Sequence, residues 1–135
     1  MLYCSCSSAI IYEKREKQMK GYVLLSHGSK VKASNDANKE ILEKLRKNIA
    51  HVELAFLELA EPSFEEAIKK LTTSGITKIT VLPLFLAPGK HVQEDVPSLA
   101  SNFSKKYDTD IKVLEHIGAR DEYVALIEAI LMASK

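Results

Sequence analysis

Tyr22-Val-Leu-Leu-Ser26 decides the fold. It is short and almost continuously apolar, without the every-other-residue alternation of a half-solvated strand. Such a run suits a strand covered on both faces, as in a parallel sheet flanked by helices. Downstream, periodicity switches to that of a helix over about Ser34–Asn48. Ala37, Ile41 and Leu45 recur four apart as a stripe expected to face the core, with Leu42 and Ile49 beside it. Lys39, Glu40, Glu43, Lys44 and Lys47 cover the other side.

The same alternation repeats along the chain. Val52 to Leu59 reads as a second strand, stopped by Pro62. Ser63-Phe-Glu-Glu66 is a capping-box sequence, in which the hydroxyl accepts from the amide three residues on. The helix it opens turns Phe64, Ala67, Ile68 and Leu71 inward, and Gly75 suits its C-terminal end. Ile79-Thr-Val-Leu82 is a third strand, continuing to about Phe85, with Pro83 requiring a bulge or an end because it lacks a donor. The loop Ala87–His91 leads to a helix near Glu94–Lys106, where Pro97 is expected in the first turn. Ile111-Lys-Val-Leu114 is a fourth strand. Asp121 is expected to cap a last helix that buries Tyr123, Val124, Ile127, Ile130 and Leu131.

Four strand–helix units with short connections predict a three-layer α/β domain. Its parallel sheet has order 2-1-3-4, as in flavodoxin-like folds, with right-handed crossovers. A four-stranded sheet also leaves edges that a partner subunit can cover. The 135 residues suit one domain, placed at 19–135.

Residues 1–18 read differently. They lack a basic segment before their short apolar stretch, so a secretory signal is not expected. Met19 precedes the first strand directly. Residues 1–18 are therefore expected to be a loose extension, or no part of the natural product. Cys4 and Cys6 are the only cysteines; with a single residue between them they form neither a disulfide framework nor a zinc knuckle, and a cytoplasmic setting follows as the default. The formal net charge of +1 argues against nucleic acid or an anionic membrane as partner. No apolar run approaches the roughly 20 residues of a membrane helix.

In open parallel sheets, ligands bind beyond the carboxyl ends of the strands, above all where the strand order reverses. The residues after each strand are Ser26-His27-Gly28-Ser29, then Glu58 and Glu61, then Gly89-Lys90-His91, then Glu115 and His116. Strands 1 and 3 flank the reversal, which places His27 and His91 across one crevice. Two imidazoles plus a carboxylate with open positions form a catalytic metal pattern, and an imidazole there can also accept a proton. Glu58 is the preferred carboxylate because it is expected within the strand, whereas Glu61 also fits a helix-entry charge. An alternative is that Gly28-Ser29 cradles a phosphate at the next helix N-terminus. His51, at the opposite end of its strand, is expected to be solvated, and His116 is open between a structural and a site role.

Three segments carry a resemblance: Ser26-His27-Gly28-Ser29, Phe56-Leu-Glu-Leu-Ala-Glu61-Pro, and Val81-Leu-Pro-Leu-Phe-Leu-Ala-Pro-Gly-Lys-His91-Val-Gln-Glu-Asp-Val-Pro97. Together, over about residues 20–134, they resemble the short-form sirohydrochlorin cobaltochelatases. These class II tetrapyrrole chelatases are related to nickel-inserting archaeal enzymes and to sirohydrochlorin ferrochelatase. The third segment is the most specific.

The resemblance implies insertion of a divalent ion, Co²⁺ first with Ni²⁺ and Fe²⁺ as alternatives, into sirohydrochlorin without ATP or an organic cofactor. It implies His27 as metal ligand and proton acceptor, His91 as second metal ligand, and Glu58 as a carboxylate beside the metal. It further implies substrate contacts at Glu61 and along Leu86, Ala87, Pro88, Gly89, Lys90 and His91, and a homodimer. Residues 1–18 have no counterpart in this pattern, and His116 stands where relatives often carry proline.

Overall fold

The computed structural model describes residues 19–134; the expectations for residues 1–18 and for Cys4 and Cys6 lie outside them. Four strands form one sheet: β1 (Lys20–Ser26), β2 (Val52–Phe56), β3 (Lys78–Pro83) and β4 (Asp110–Val113). Their order is β2-β1-β3-β4, and every pairing is parallel. The chain therefore reverses direction across the sheet between β1 and β3, as the sequence pattern predicts. Leu24 pairs with Leu54 on one side and Leu82 on the other.

The helices are α1 (Lys32–Leu45), α2 (Phe64–Thr73), α3 (Lys90–Lys106) and α4 (Asp121–Ala133), with a 3₁₀ turn at Ile117–Ala119 before the last. Because β1→β2 and β2→β3 cross the sheet in opposite directions, right-handed crossovers place α1 on one face and α2 and α3 on the other. The larger core lies under α2 and α3. There Val23, Leu25, Ile79 and Val81 from the strands meet Phe64, Ile68, Leu71, Val96 and Ala100. Phe64 and Phe103 join the two helices edge to face at 5.3 Å. On the other face α1 packs Leu42 onto Leu24, Leu54 and Phe56.

The capping box of α2 is complete. The Glu66 amide donates to Ser63 Oγ at 3.2 Å, and the Ser63 amide donates to the Glu66 carboxylate at 3.3 Å. Gly75, with φ of +88°, turns the chain out of the same helix.

Several expectations need correction. In α1 the inward line is Asn35, Asn38, Leu42 and Leu45; Ala37 and Ile41 face solvent, and Ile49 is also exposed. The polar pair Asn35 and Asn38 takes inward positions because both hold the loop after β1. The second strand ends at Phe56 rather than Leu59. The Phe56 amide turns to the Pro62 carbonyl at 2.9 Å, and Leu59 adopts φ of +64°. Likewise β3 stops at Pro83, whose missing N–H ends the ladder before Phe85.

The third helix begins at Lys90, so Pro97 lies in its interior and not in its first turn. A proline there leaves the carbonyl of Gln93 without its usual donor. Asp121 is the first residue of α4, not its cap, and its side chain caps nothing.

The largest departure also concerns α4. None of its residues is buried, and Val124, Ile127, Ile130 and Leu131 are all exposed where they were expected to face the core. The connection explains this. Gly118 donates to the Phe85 carbonyl at 3.0 Å, which ties the 3₁₀ turn to the end of β3 and sends α4 away from the sheet.

Candidate active site

Beyond the carboxyl end of β1, the chain makes a tightly held turn. The Ser29 amide donates to Asn35 Oδ1 at 3.0 Å, and Asn35 Nδ2 donates back to the Ser29 carbonyl at 2.8 Å. Asn38 Nδ2 donates to Ser26 Oγ at 3.1 Å, and the Val31 amide donates to Ser29 Oγ at 3.0 Å. A reciprocal side-chain amide pair fixes both position and orientation of a loop. The same bonds weigh against the phosphate-cradle alternative, since the Ser29 amide is already donated to Asn35.

This turn holds His27 against the loop that follows β2. Leu57 donates to the Ser26 carbonyl at 2.9 Å and Glu58 to the His27 carbonyl at 3.0 Å, so backbone pairing outlasts the strand. Between them Gly28 has φ of +95°, and a Cβ there would sit 1.8 Å from the Glu58 carbonyl oxygen. Only glycine permits that approach.

The side chains meet as well. His27 Nε2 lies 3.2 Å from Glu58 Oε1, and the two side chains are 50% and 58% exposed. His27 Nδ1 lies 3.3 Å from the Gly28 carbonyl. The imidazole thus has an oxygen at each nitrogen and an open face toward solvent. Glu58 reaches it from a loop, two residues past the end of β2, and not from within the strand as expected.

The β3 side of the rim is the segment Leu86–His91. Leu86, Ala87, Gly89, Lys90 and His91 are exposed and Pro88 is half-buried. Gln93 braces it from within α3, donating through Nε2 to the Pro88 carbonyl at 3.1 Å. His91 is the second residue of α3 and is therefore fixed to a helix start, not carried on a loop. Lys90 lies 4.0 Å from Glu94, one turn on. Gly118 supports the segment from below: a Cβ there would come within 1.9 Å of the Leu86 carbonyl oxygen.

The structure brings His27 and Glu58 into contact. Among the described residues no three His, Cys, Asp or Glu side chains stand together as a metal-holding group, so His91 is on the same rim but not gathered with that pair. Glu61 is exposed in the β2–α2 loop, before a cis peptide bond to Pro62. His51, with φ of +56°, lies exposed at the start of β2, far from the rim, as expected. His116 is half-buried and lines a cleft of about 670 Å³ between α3 and β4, together with Phe85, Pro88, Val92, Gln93 and Glu115. Neither His27 nor His91 lines that cleft. This cleft is thus offset from the histidine–carboxylate pair.

Asn35, Asn38 and Gly118 are the supporting residues that pattern reading missed. A signal existed for the first two: asparagines three apart on a helix are costly inward unless each has a partner.

A parallel sheet opening a histidine–carboxylate pair at its order reversal defines a rim-site α/β domain, the class in which small ligands bind at the strand ends. Residues 21–132 match the CbiX family model, and the chain belongs to the CbiX family. A sirohydrochlorin cobaltochelatase of Sulfurisphaera tokodaii is 38% identical over 109 residues, covering 81% of this chain and 88% of the relative. One from Methanopyrus kandleri is 40% identical over 83 residues, 60% of this chain and 58% of the relative.

Among solved structures, a cobalamin biosynthesis CbiX protein from Marinobacter aquaeolei superposes with a TM-score of 0.76 at 28% identity. That match covers 84% of this chain and 94% of the other. The sirohydrochlorin chelatase SirB of Bacillus subtilis subspecies spizizenii, in complex with cobalt, gives 0.70 at 27% identity, again over 84% of this chain. This chain spans about half of SirB, 50% of its length.

Proposed function

We propose that this protein inserts a divalent metal ion, Co²⁺ first, into sirohydrochlorin on the route to cobalamin. The observation that carries the proposal is the His27–Glu58 contact at the open rim of a CbiX-family domain. The relatives named as sirohydrochlorin cobaltochelatases, and the cobalt complex of SirB, supply the substrate and the ion.

Metal entry requires the macrocycle to lose two pyrrole N–H protons. His27 accepts one, and Glu58, 3.2 Å away, passes it to solvent. Water takes the second at the exposed rim. The ion is held by His27, with His91 as second ligand, loosely enough to be handed to four ring nitrogens. Holding ion and ring side by side supplies the proximity advantage. The ring lies along Leu86, Ala87, Pro88, Gly89, Lys90 and His91, with Lys90 meeting its carboxylates and Glu61 contacting its edge. The reaction uses neither ATP nor an organic cofactor.

Two copies form the working unit, in the cytoplasm. The exposed apolar side chains of α4, Val124, Ile130 and Leu131 among them, support a second copy as their cover.

The test is anaerobic. Protein, sirohydrochlorin and Co²⁺, Ni²⁺ or Fe²⁺ are mixed and the macrocycle's absorption is followed. Acceleration with Co²⁺ above the protein-free rate is expected. No acceleration with any ion would leave a non-catalytic metal or tetrapyrrole carrier as the reading.

A further inference from the structure

We infer that His116 binds a peripheral carboxylate of the macrocycle, from just under the segment along which the ring lies. The inference rests on the sirohydrochlorin reading above and adds a residue that recognises the substrate's edge.

The turn does not need an imidazole at this position. His116 has φ of −59° and ψ of 152°. That is close to the φ of about −65° that a proline ring imposes. Its amide donates to no group among the described residues, so a proline here would cost the turn no hydrogen bond. Only its carbonyl is used, accepting from the Ala119 amide at 3.0 Å. The side chain does not tie the fold together either. It is half-buried, yet neither ring nitrogen has a hydrogen-bond partner among the described residues. Polar groups withdrawn from water are ordinarily paired. An imidazole held partly out of water without a partner leaves a donor free for a ligand.

The turn carrying His116 is fastened to the substrate segment. Gly118 donates to the Phe85 carbonyl at 3.0 Å and has no room for a side chain against the Leu86 carbonyl. His116 lines the cleft of about 670 Å³ together with Phe85, Pro88 and Gln93. Pro88 belongs to both the cleft and the segment. A macrocycle lying along Leu86–His91 therefore has the cleft mouth at its edge. Sirohydrochlorin carries acetate and propionate arms there, and an arm is the part of it that can enter.

The other polar side chains of the cleft compete poorly for that carboxylate. Gln93 is committed to the Pro88 carbonyl and Ser104 to the Thr109 carbonyl. Ser101 and Lys105 lie about 12 and 18 Å down α3 from Gln93, at about 1.5 Å per residue. Glu115, next to His116, accepts but does not donate, and its charge opposes a carboxylate. Arg120 is near enough to interact with that charge and offsets it. The walls nearest the imidazole include Phe85, Val92 and Val113, and such apolar surroundings strengthen a charge-assisted hydrogen bond.

The test is anaerobic fluorescence titration of metal-free sirohydrochlorin with the full chain, alongside steady-state rates with Co²⁺. His116→Leu removes the donor and keeps bulk, His116→Pro removes it and keeps the backbone, and His116→Gln retains a donor. His116→Leu and His116→Pro are expected to weaken sirohydrochlorin binding about tenfold, the worth of a hydrogen bond to a charged group. KM should rise by the same factor with kcat within about twofold of the parent, the mark of a binding contact. His116→Gln is expected to recover most of the affinity, which a packing role would not allow. Thermal unfolding of each variant is expected to match the parent; should the proline disturb the turn, the leucine and glutamine variants decide between them.

Parental affinity in His116→Leu, or equal losses in His116→Leu and His116→Gln, would overturn the inference. A parent that binds sirohydrochlorin but inserts no metal would overturn the chelatase reading alone, with the variants still deciding the role of His116. A parent that does not bind sirohydrochlorin would overturn both.

Discussion

Glu58 is bound to His27 twice, through its amide to the His27 carbonyl at 3.0 Å and through its carboxylate to His27 Nε2 at 3.2 Å. The backbone contact sets the position and the side-chain contact uses it. Removing the imidazole should therefore abolish chemistry without disturbing the fold. His27→Ala is expected to lower the metal-insertion rate by on the order of 10²–10⁴-fold, the usual worth of a positioned proton acceptor. Glu58→Gln should cost less, because water can still take the proton from His27. Initial rates with Co²⁺, alongside thermal unfolding of each variant, check both. A His27→Ala enzyme with parental rates would remove this pair from the mechanism.

Gly28 makes that double contact possible. Gly28→Ala introduces a Cβ 1.8 Å from the Glu58 carbonyl oxygen at a φ of +95°. The two loops must separate, so stability should fall by at least about 1–3 kcal/mol, with activity falling in parallel. Denaturant unfolding measures the first and the cobalt assay the second.

Asn35 acts through position alone. Asn35→Ala frees both the Ser29 amide and carbonyl, two hydrogen bonds worth about 1 kcal/mol each. A stability loss of about 1–3 kcal/mol is expected by the same unfolding measurement. Amide exchange at Ser29 should quicken relative to residues of β1; unchanged exchange would show that the turn stands without its asparagine.

Gly118 separates substrate binding from the histidine–carboxylate pair. Gly118→Ala places a Cβ 1.9 Å from the Leu86 carbonyl oxygen and displaces the Leu86–His91 segment. The expected result is a raised KM for sirohydrochlorin and weaker metal binding through His91, with the His27–Glu58 contact itself undisturbed. Metal titration and steady-state kinetics on the same preparation distinguish the two effects.

A pH effect belongs to the contact between the start of α2 and the end of α3. Lys106, then Tyr107, hydrogen-bonds the Glu65 carboxylate and holds its pKa below the ordinary 4.5. A depressed carboxylate pKa contributes stability above the unfolded value and loses it as pH falls through the folded one. Stability from this cluster should therefore be constant from neutral pH down to about 5 and decline below 4.5. The loss should be small, because these groups are exposed. Lys106→Met should reduce that part of the acid dependence and leave the smaller share due to Tyr107, followed by carboxyl NMR of Glu65 and by unfolding at each pH.

What the sequence determined by itself was the alternation of apolar strand and amphipathic helix. From it came the parallel sheet, its order and the end of the sheet at which chemistry belongs. Those features depend on local periodicity and on the handedness of crossovers, both of which a single chain expresses in its own residues. The motif around Ser26–Ser29 and the segment ending at His91 also pointed to the family, which the match over residues 21–132 bears out.

Tertiary structure decided what depends on contacts between segments distant in the chain. It turned Asn35 and Asn38 inward, because their partners lie on the loop after β1. It moved Glu58 out of the strand yet kept it on His27, because Gly28 lets two loops touch. It also sent α4 away from its own sheet. The apolar pattern of residues 123–131 predicted burial where the structure leaves the helix exposed, because a pattern records the need for cover and not which surface supplies it.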